Sequence, residues 1–160
     1  PVVTASSGLQ ISSNSNTFND FPSVSVDGDG NGMVVWVTNT GNDDVVARKI
    51  VRYNPVGSAE FVVDNSSGNQ KKPRVFINDL GNGIIVWEDS SGASPDIYGI
   101  NVVNYALVGT KFRIDDDAAS YNQNNPYLAI NSFDKGMMVW EDSNNSGQIF
   151  GKRIIDLFPQ

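Results

Sequence analysis

The stretch Lys72-Pro73-Arg74-Val75, followed by Gly83-Ile84-Ile85-Val86-Trp87, occurs three times in this chain with small changes. In each copy a proline opens a short segment, a turn containing glycine follows, and an apolar run ends in tryptophan. The tryptophans are Trp36, Trp87 and Trp140, which are 51 and 53 residues apart. A period of about 50 residues with a glycine and aromatic signature is typical of radially repeated sheets.

Each copy divides into four segments with strand character. In the second copy, residues 74–77 alternate in polarity, whereas residues 84–87 are apolar throughout, which predicts a strand covered on both faces. Residues 97–101 and 112–114 have mixed polarity and suit strands nearer the rim. Turns rich in glycine, asparagine and aspartate separate the segments. No stretch shows a sustained helical period, so we predict an all-β fold.

In this sequence the repeat begins and ends part-way through a unit. The copies span about residues 19–68, 69–121 and 122–160, and the third lacks a fourth segment. Leu9-Gln10-Ile11, within residues 1–18, has the character of the missing segment. We therefore predict that residues 1–160 form a single β-propeller domain with three four-stranded blades, the N-terminal segment acting as a permuted outer strand.

Three blades are fewer than the four to eight that propellers typically hold. We predict that two chains form a homodimer, a six-bladed ring in which the N-terminal strand of one copy completes the last blade of the other. The alternative is a piece of a longer propeller. The opening Pro1-Val2-Val3 has neither a start methionine nor a signal-peptide pattern, which predicts a processed or trimmed product.

The composition excludes several classes of function. The formal net charge is −7, and the eleven lysines and arginines are scattered, which argues against nucleic-acid partners and anionic membrane surfaces. The absence of histidine removes the commonest general base, and the absence of cysteine removes disulfides and thiolate chemistry. No apolar run approaches the roughly 18 residues that would predict membrane insertion.

Four stretches beginning in the second copy carry a resemblance to a known repeat. They are Val86-Trp87-Glu88-Asp89, Asp96-Ile97-Tyr98-Gly99, Gly109-Thr110-Lys111-Phe112-Arg113-Ile114 and Gln123-Asn124-Asn125-Pro126. Together they resemble a bacterial propeller repeat of the pattern V-W-x-D, D-I-Y, G-x-x-F-x-V and Q-x-x-P, which is similar to TolB-type and WD-type blades. The resemblance implies a secreted or cell-surface bacterial propeller and assigns no activity.

The candidate ligand-binding residues follow the second strand of the second and third copies. They are Trp87, Glu88, Asp89, Trp140, Glu141 and Asp142. Tryptophan rings can stack on sugars, although a tryptophan repeated at one position also fits packing between blades. Adjacent side chains of a strand point to opposite faces, so each Glu-Asp pair is not expected to act as a couple. Aspartate after a strand also fits a turn cap.

These observations predict a non-catalytic binding or scaffold module that recognises a glycan or a cell-surface ligand. The sequence favours binding over catalysis. One alternative is a carboxylate-dependent propeller similar to glycoside hydrolases, with Glu88 or Glu141 as the acting carboxylate. The other alternative is a purely structural repeat.

Calcium is the single cofactor that the sequence suggests. Asp27, Asp29 and Asn31 alternate with glycine, as ligands do at the start of calcium-binding loops. Such loops need a further carboxylate downstream, but Met33 and an apolar run follow instead. A glycine-rich hairpin turn is the alternative.

Overall fold

The protein is described by a computed structural model that covers residues 8–13, 18–57, 60–115, 121–131, 133, 135–143 and 147–154. The prediction of an all-β fold is confirmed. The strands are β1 (Phe18–Val26), β2 (Gly32–Asn39), β3 (Asp43–Val51), β4 (Asn54–Pro55), β5 (Phe61–Asp64), β6 (Gln70–Ile77), β7 (Gly83–Asp89), β8 (Asp96–Val103), β9 (Ala106–Arg113), β10 (Gln123–Ile130), β11 (Gly136–Asp142) and β12 (Gln148–Ile154). Among the described residues, no helix is long and apolar enough to cross a membrane.

The strands form three antiparallel sheets, one for each copy of the repeat. Sheet 1 contains β1 to β5, sheet 2 contains β6 to β9, and sheet 3 contains β10 to β12. In each sheet the strands pair in chain order, except that β5 pairs with β3 beside the two-residue strand β4. The predicted fourth segments are β5 and the end of β9.

The N-terminal segment is not a strand in the single chain. Residues 8–13 lie outside the strands, although Leu9-Gln10-Ile11 was expected to be one. A strand needs a neighbouring edge to satisfy its backbone groups. Within the single chain, this segment lies beside sheet 1 without pairing with a strand of it.

Two apolar cores hold the sheets together, one on each face of sheet 2. Every residue of β7 is buried. Ile85 and Trp87 belong to the core shared with sheet 1, whereas Ile84 and Val86 belong to the core shared with sheet 3. The alternation of side chains along a strand produces this division. The apolar run of residues 84–87 is therefore part of β7, a strand of the middle one of three packed sheets.

The first strands of neighbouring sheets lie side by side. The backbone N–H of Ile77 in β6 donates to Ser25 Oγ in β1 at 2.9 Å, and β6 also contacts β10. The first strands thus lie together on one side of the molecule, and the later strands of each sheet extend away from them. This radial order is that of a propeller-like fold.

A tyrosine from the hairpin after the third strand packs on a glycine of the turn between the first two strands. A Cβ atom at Gly81, where φ is +75°, would lie 2.5 Å from the Tyr105 ring. The Tyr105 hydroxyl donates to Asp27 of sheet 1, and the Lys49 ammonium lies 4.7 Å from the ring centre. Burial and the Asp27 hydrogen bond raise the pKa of Tyr105 to about 12. The ring is therefore held in place.

We expect Gly81→Ala to destabilise the chain more than Gly109→Ala. Both glycines have φ near +77°, but a Cβ at Gly109 meets nothing within 4 Å. The backbone cost of about 1–2 kcal/mol is common to both variants. The clash with Tyr105 should add about 1–3 kcal/mol to the Gly81 variant. Urea unfolding followed by tryptophan fluorescence measures both losses, and equal losses would contradict the packing argument.

Candidate active site between sheets 2 and 3

The first strand of each sheet contains a bulge at the residue before its proline. The pairing register shifts between Lys71 and Arg74 in β6 and between Asn124 and Tyr127 in β10. At the bulge the backbone is left-handed, with φ of 48° at Lys72 and 53° at Asn125. This conformation is uncommon for residues other than glycine, and such positions concentrate at functional sites.

Glu88 lies at the end of β7 and turns toward the bulges. Its side chain is almost entirely buried. The Lys72 ammonium lies 3.0 Å from Glu88 Oε1, and the backbone N–H of Asn125 donates to the same oxygen. An ion pair with a backbone hydrogen bond compensates for the cost of burying the carboxylate.

Glu141 is the equivalent residue of β11, and the same asparagine binds it. The side-chain amide of Asn125 donates to Glu141 Oε2 at 2.6 Å. Glu141 is exposed to solvent. Asn125 thus contacts both glutamates, one through its backbone and the other through its side chain. Glu88 reaches Asn125 from sheet 2, whereas Glu141 lies on the outer face of sheet 3 with its register partner Ile149. Asn125 thus links two carboxylates that are 53 residues apart in the chain.

Sheet 1 has no matching site, because its equivalent residues are apolar. Phe21, with φ of 50°, occupies the bulge position, and Val37 occupies the position of Glu88. The departure of the first copy, visible in the sequence, therefore restricts this chemistry to sheets 2 and 3.

Asp89 points to the opposite face of β7 from Glu88, as the alternation predicts. Its carboxylate accepts the Ser91 N–H at 2.8 Å, so it caps the turn after β7. Lys111 of β9 pairs with it at 2.5 Å and with Asp64 of sheet 1 at 2.7 Å. Lys111 also lies 5.0 Å from the centre of the Tyr98 ring. This cluster joins sheets 1 and 2.

The cluster shifts the pKa values of its members in opposite directions. Burial raises the pKa of Asp89, but hydrogen bonds from Lys111 and Ser91 outweigh it and leave that pKa below its ordinary value. Burial lowers the pKa of Lys111, but its hydrogen bonds to Asp64 and Asp89 hold it above the ordinary value. Asp89 and Lys111 therefore stay charged around neutral pH.

The sequence analysis did not single out Lys111 as a functional residue. Asp64, Asp89 and Lys111 come from three different strands. A lysine in an outer strand is expected to be exposed to solvent, because the sequence alone does not show which carboxylates pack against it.

The remaining candidate binding residues are buried. Trp87 packs in the core between sheets 1 and 2, and Trp140 packs in the core between sheets 2 and 3. Asp142, at the end of β11, is also buried, at the position equivalent to Asp89. Neither tryptophan presents a ring face to solvent in the single chain.

Asp27 organises the turn in which calcium was considered. Its Oδ1 accepts the N–H groups of Asp29 at 2.9 Å and of Asn31 at 2.8 Å. The side-chain oxygens of Asn78 and Asn131 accept the equivalent bonds in the other two turns. A neutral amide thus supports the same turn as a carboxylate. Within the described ranges no three His, Cys, Asp or Glu side chains cluster as metal ligands, and calcium stays a prediction.

No model of a known protein family matches this chain, and no curated protein matches it. Solved structures with a similar fold include an endo-arabinase from Bacteroides thetaiotaomicron, at 12% identity and a TM-score of 0.57 over 88% of this chain and 59% of that chain. A thermostable family-43 glycoside hydrolase is 12% identical, with a TM-score of 0.56 over 82% of this chain and 49% of that one. A putative glycoside hydrolase from Parabacteroides distasonis is 8% identical, with a TM-score of 0.50 over 83% and 49%.

The likeness supports an all-β, propeller-like fold. The chain spans 49% to 59% of the length of these proteins. The neighbours of this type are five-bladed and propeller-like, so three sheets correspond to the share that the chain covers.

These findings overturn the predicted function. The prediction of a non-catalytic binding or scaffold module is wrong, as is the preference for binding over catalysis, since the structural neighbours are glycoside hydrolases. The alternative of a propeller similar to glycoside hydrolases is better supported. Glu88 and Asp89 point to opposite faces of β7, as predicted. The contact of Asn125 with both Glu88 and Glu141 was not predicted.

We expect Lys111→Met to lose about 3 kcal/mol of unfolding free energy at pH 7, because it leaves two buried carboxylates without their cation. The lowered pKa of Asp89 means that its stabilisation is present above the unfolded value near 3.8 and is lost as the pH falls through the folded pKa. The raised pKa of Lys111 means that its stabilisation is present below 10.5 and is lost as the pH rises through the folded pKa.

The difference in unfolding free energy between the wild type and Lys111→Met should therefore become smaller below about pH 4. Lys71→Met is the matched control, since it removes a more exposed ion pair, 3.3 Å from Asp43, and should cost at most about 1 kcal/mol. Urea unfolding at pH 3, 5 and 7 measures both. A difference in unfolding free energy between the wild type and Lys111→Met that stays constant with pH would contradict the ion pairs assigned to Lys111.

Proposed function

We propose that this chain forms part of a glycoside hydrolase-like propeller in which Glu88 and Glu141 are the two working carboxylates. The observation that carries the proposal is the contact of both glutamates with Asn125. The likeness to an endo-arabinase and to a family-43 glycoside hydrolase supports the same class of reaction.

Hydrolysis of a glycosidic bond generally uses two carboxyl groups, one to protonate the leaving oxygen and one to activate water or attack the sugar. Glu141 is exposed to solvent in the single chain, so we assign it as the proton donor. Glu88 is buried and paired with the Lys72 ammonium, so we assign it as the base or nucleophile. This chemistry needs no histidine, cysteine or metal ligand set.

Asn125 is the positioning residue of this site. Its backbone N–H and its side-chain amide donate to different glutamates, and its left-handed backbone directs both groups at once. Asparagine adopts this conformation more readily than most residues. Both carboxylates and Asn125 belong to one chain, so this pair of groups does not depend on a second copy.

Arabinan is the first substrate to test, because one of the similar structures is an endo-arabinase. Degradation of a polymeric glycan takes place where the polymer is found, so we propose an extracellular or cell-surface location for this protein. The bacterial origin expected from the repeat pattern fits the same proposal.

The test is release of reducing sugar from arabinan and from a panel of aryl glycosides. The Glu141→Gln and Glu88→Gln variants should each lower the turnover rate by about 10²-fold or more, the usual effect of losing a general acid or base. The chain has three glutamates. Glu60, which accepts the N–H of Ser13 at 3.0 Å, therefore provides the matched control Glu60→Gln, which should retain turnover.

Two results would reject the proposal. One is the absence of hydrolysis of every glycoside by the wild type, and the other is hydrolysis that both glutamine variants retain. Circular dichroism and urea unfolding of each variant separate loss of chemistry from loss of fold.

A further inference from the structure

The outer face of sheet 3 carries apolar residues that the other two sheets bury. Ile149 is 70% exposed, whereas its equivalents Val45 and Ile97 are 0% exposed beneath the next sheet. Met137 is 51% exposed, whereas its equivalent Met33 is 0% exposed. The same repeat position is thus a core residue twice and a surface residue once. This face, defined by Met137, Val139 and Ile149, is the downstream end face.

The outer face of sheet 1 shows the complementary pattern. Val24 is 61% exposed, whereas its equivalent Val75 is 7% exposed against sheet 1. Val26 is also exposed, whereas its equivalent Ile77 is buried. We call this surface, with Val24, Val26 and Val34, the upstream end face. Inside the chain, each sheet interface pairs one downstream face with one upstream face, so the two end faces have the composition of a third interface of the same kind.

The N-terminal segment already occupies the place of an outer strand from a preceding sheet. The Arg48 guanidinium donates to the backbone oxygen of Ile11 at 2.5 Å. At the equivalent position in sheet 3, the Lys152 ammonium donates to the backbone oxygen of Ile114 at 3.0 Å. Ile114 directly follows β9, the outer strand of sheet 2. By this correspondence, residues 9–11 lie where the outer strand of a sheet before sheet 1 would end.

Sheet 3 has an edge to receive that strand. Among the described residues, β12 pairs with β11 alone, whereas the equivalent strands β3 and β8 each also pair with an outer strand. An open strand edge invites pairing with another chain. Within the described ranges, the chain therefore has a segment in the place of an outer strand and a sheet whose β12 edge is open.

We propose that the downstream end face of one chain binds the upstream end face of a second copy of the same chain. Residues 9–11 of the second copy pair with β12 of the first, and Gln10 lies opposite Phe150. The register follows from the equivalent pairs Val46 with Val62 and Tyr98 with Arg113. A twofold axis repeats the contact, so two chains close a ring of six sheets.

Each chain carries both halves of the interface, so a second copy supplies a partner for each half. The two apolar end faces and the two strand edges are satisfied together, and a cyclic arrangement leaves none of them open. Open clefts of about 330 Å³ beside Trp36 and about 510 Å³ beside Ile149 mark the two end faces. The five-bladed arrangement of the structural neighbours would instead require two further sheets.

Light scattering of the 160-residue chain tests the association. We expect twice the chain mass of 17.3 kDa. Ile149→Glu should give the single-chain mass, because a charge in a buried apolar interface is costly. Leu80→Glu is the matched control, since Leu80 is 69% exposed in a turn away from both end faces, and this variant should keep the double mass. A monomeric wild type, or a dimeric Ile149→Glu variant, would overturn the proposal.

Cross-linking tests the strand pairing itself. The chain has no cysteine, so Gln10→Cys and Phe150→Cys can be introduced in separate chains, mixed, allowed to exchange and oxidised with glutathione. We expect a disulfide-linked dimer from the mixture and none from either variant alone. The Val46→Cys/Val62→Cys chain, whose residues pair within sheet 1, is the positive control and should form an internal disulfide.

Two outcomes of the cross-linking would overturn the pairing. One is the absence of a linked dimer from the mixture while the positive control oxidises. The other is an internal disulfide in a chain carrying both Gln10→Cys and Phe150→Cys. Glu141 pairs in register with Ile149 and lies on the downstream end face, so the association also covers the proposed proton donor. Mass and cross-linking are measured without substrate, so failure of the association and failure of the hydrolase proposal are still distinguished.

Discussion

Burial of the second strand of a sheet on both faces is the constraint on which the rest of this structure depends. β7 has no exposed residue, so its side chains must be apolar on both sides or be compensated by partners. The apolar residues form two cores, and the two acidic residues at the end of the strand emerge on opposite faces. Glu88 meets the bulge of β10 on one face, and Asp89 meets Lys111 on the other. The candidate chemistry and the ion pair between the sheets thus arise from one strand.

Repetition with local change explains where the chemistry lies. All three sheets keep the bulge and the proline of the first strand, whereas the second strand is buried along its whole length in sheet 2 alone. Only sheets 2 and 3 place a glutamate after the tryptophan, and sheet 3 places an asparagine at its bulge. Sheet 1 has Phe21 and Val37 at the matching positions. The backbone scaffold is therefore common to the three sheets, and the polar site belongs to one junction between two of them.

Much of the fold could be predicted because the repeat is local. The alternation of the first segments and the apolar run of residues 84–87 predicted strands that the structure contains. The opposite directions of Glu88 and Asp89 followed from the geometry of a strand. The pairing of Glu88 with Lys72 and Asn125 could not be predicted, since it depends on how far one sheet rotates over the next. The function was misjudged because the likeness to glycoside hydrolases lies in the fold, at 12% identity or less, and is not visible in the sequence.

The sequence by itself determined the all-β class, the number of repeats and their phase, because hydrophobic period and turn residues act over a few neighbouring positions. The tertiary structure alone decided that Asn125 contacts two glutamates 53 residues apart, and that Lys111 lies between carboxylates of two sheets. It also showed which of the equivalent apolar residues lack a covering sheet, as Ile149 does. These are long-range contacts, and they depend on the packing of whole sheets.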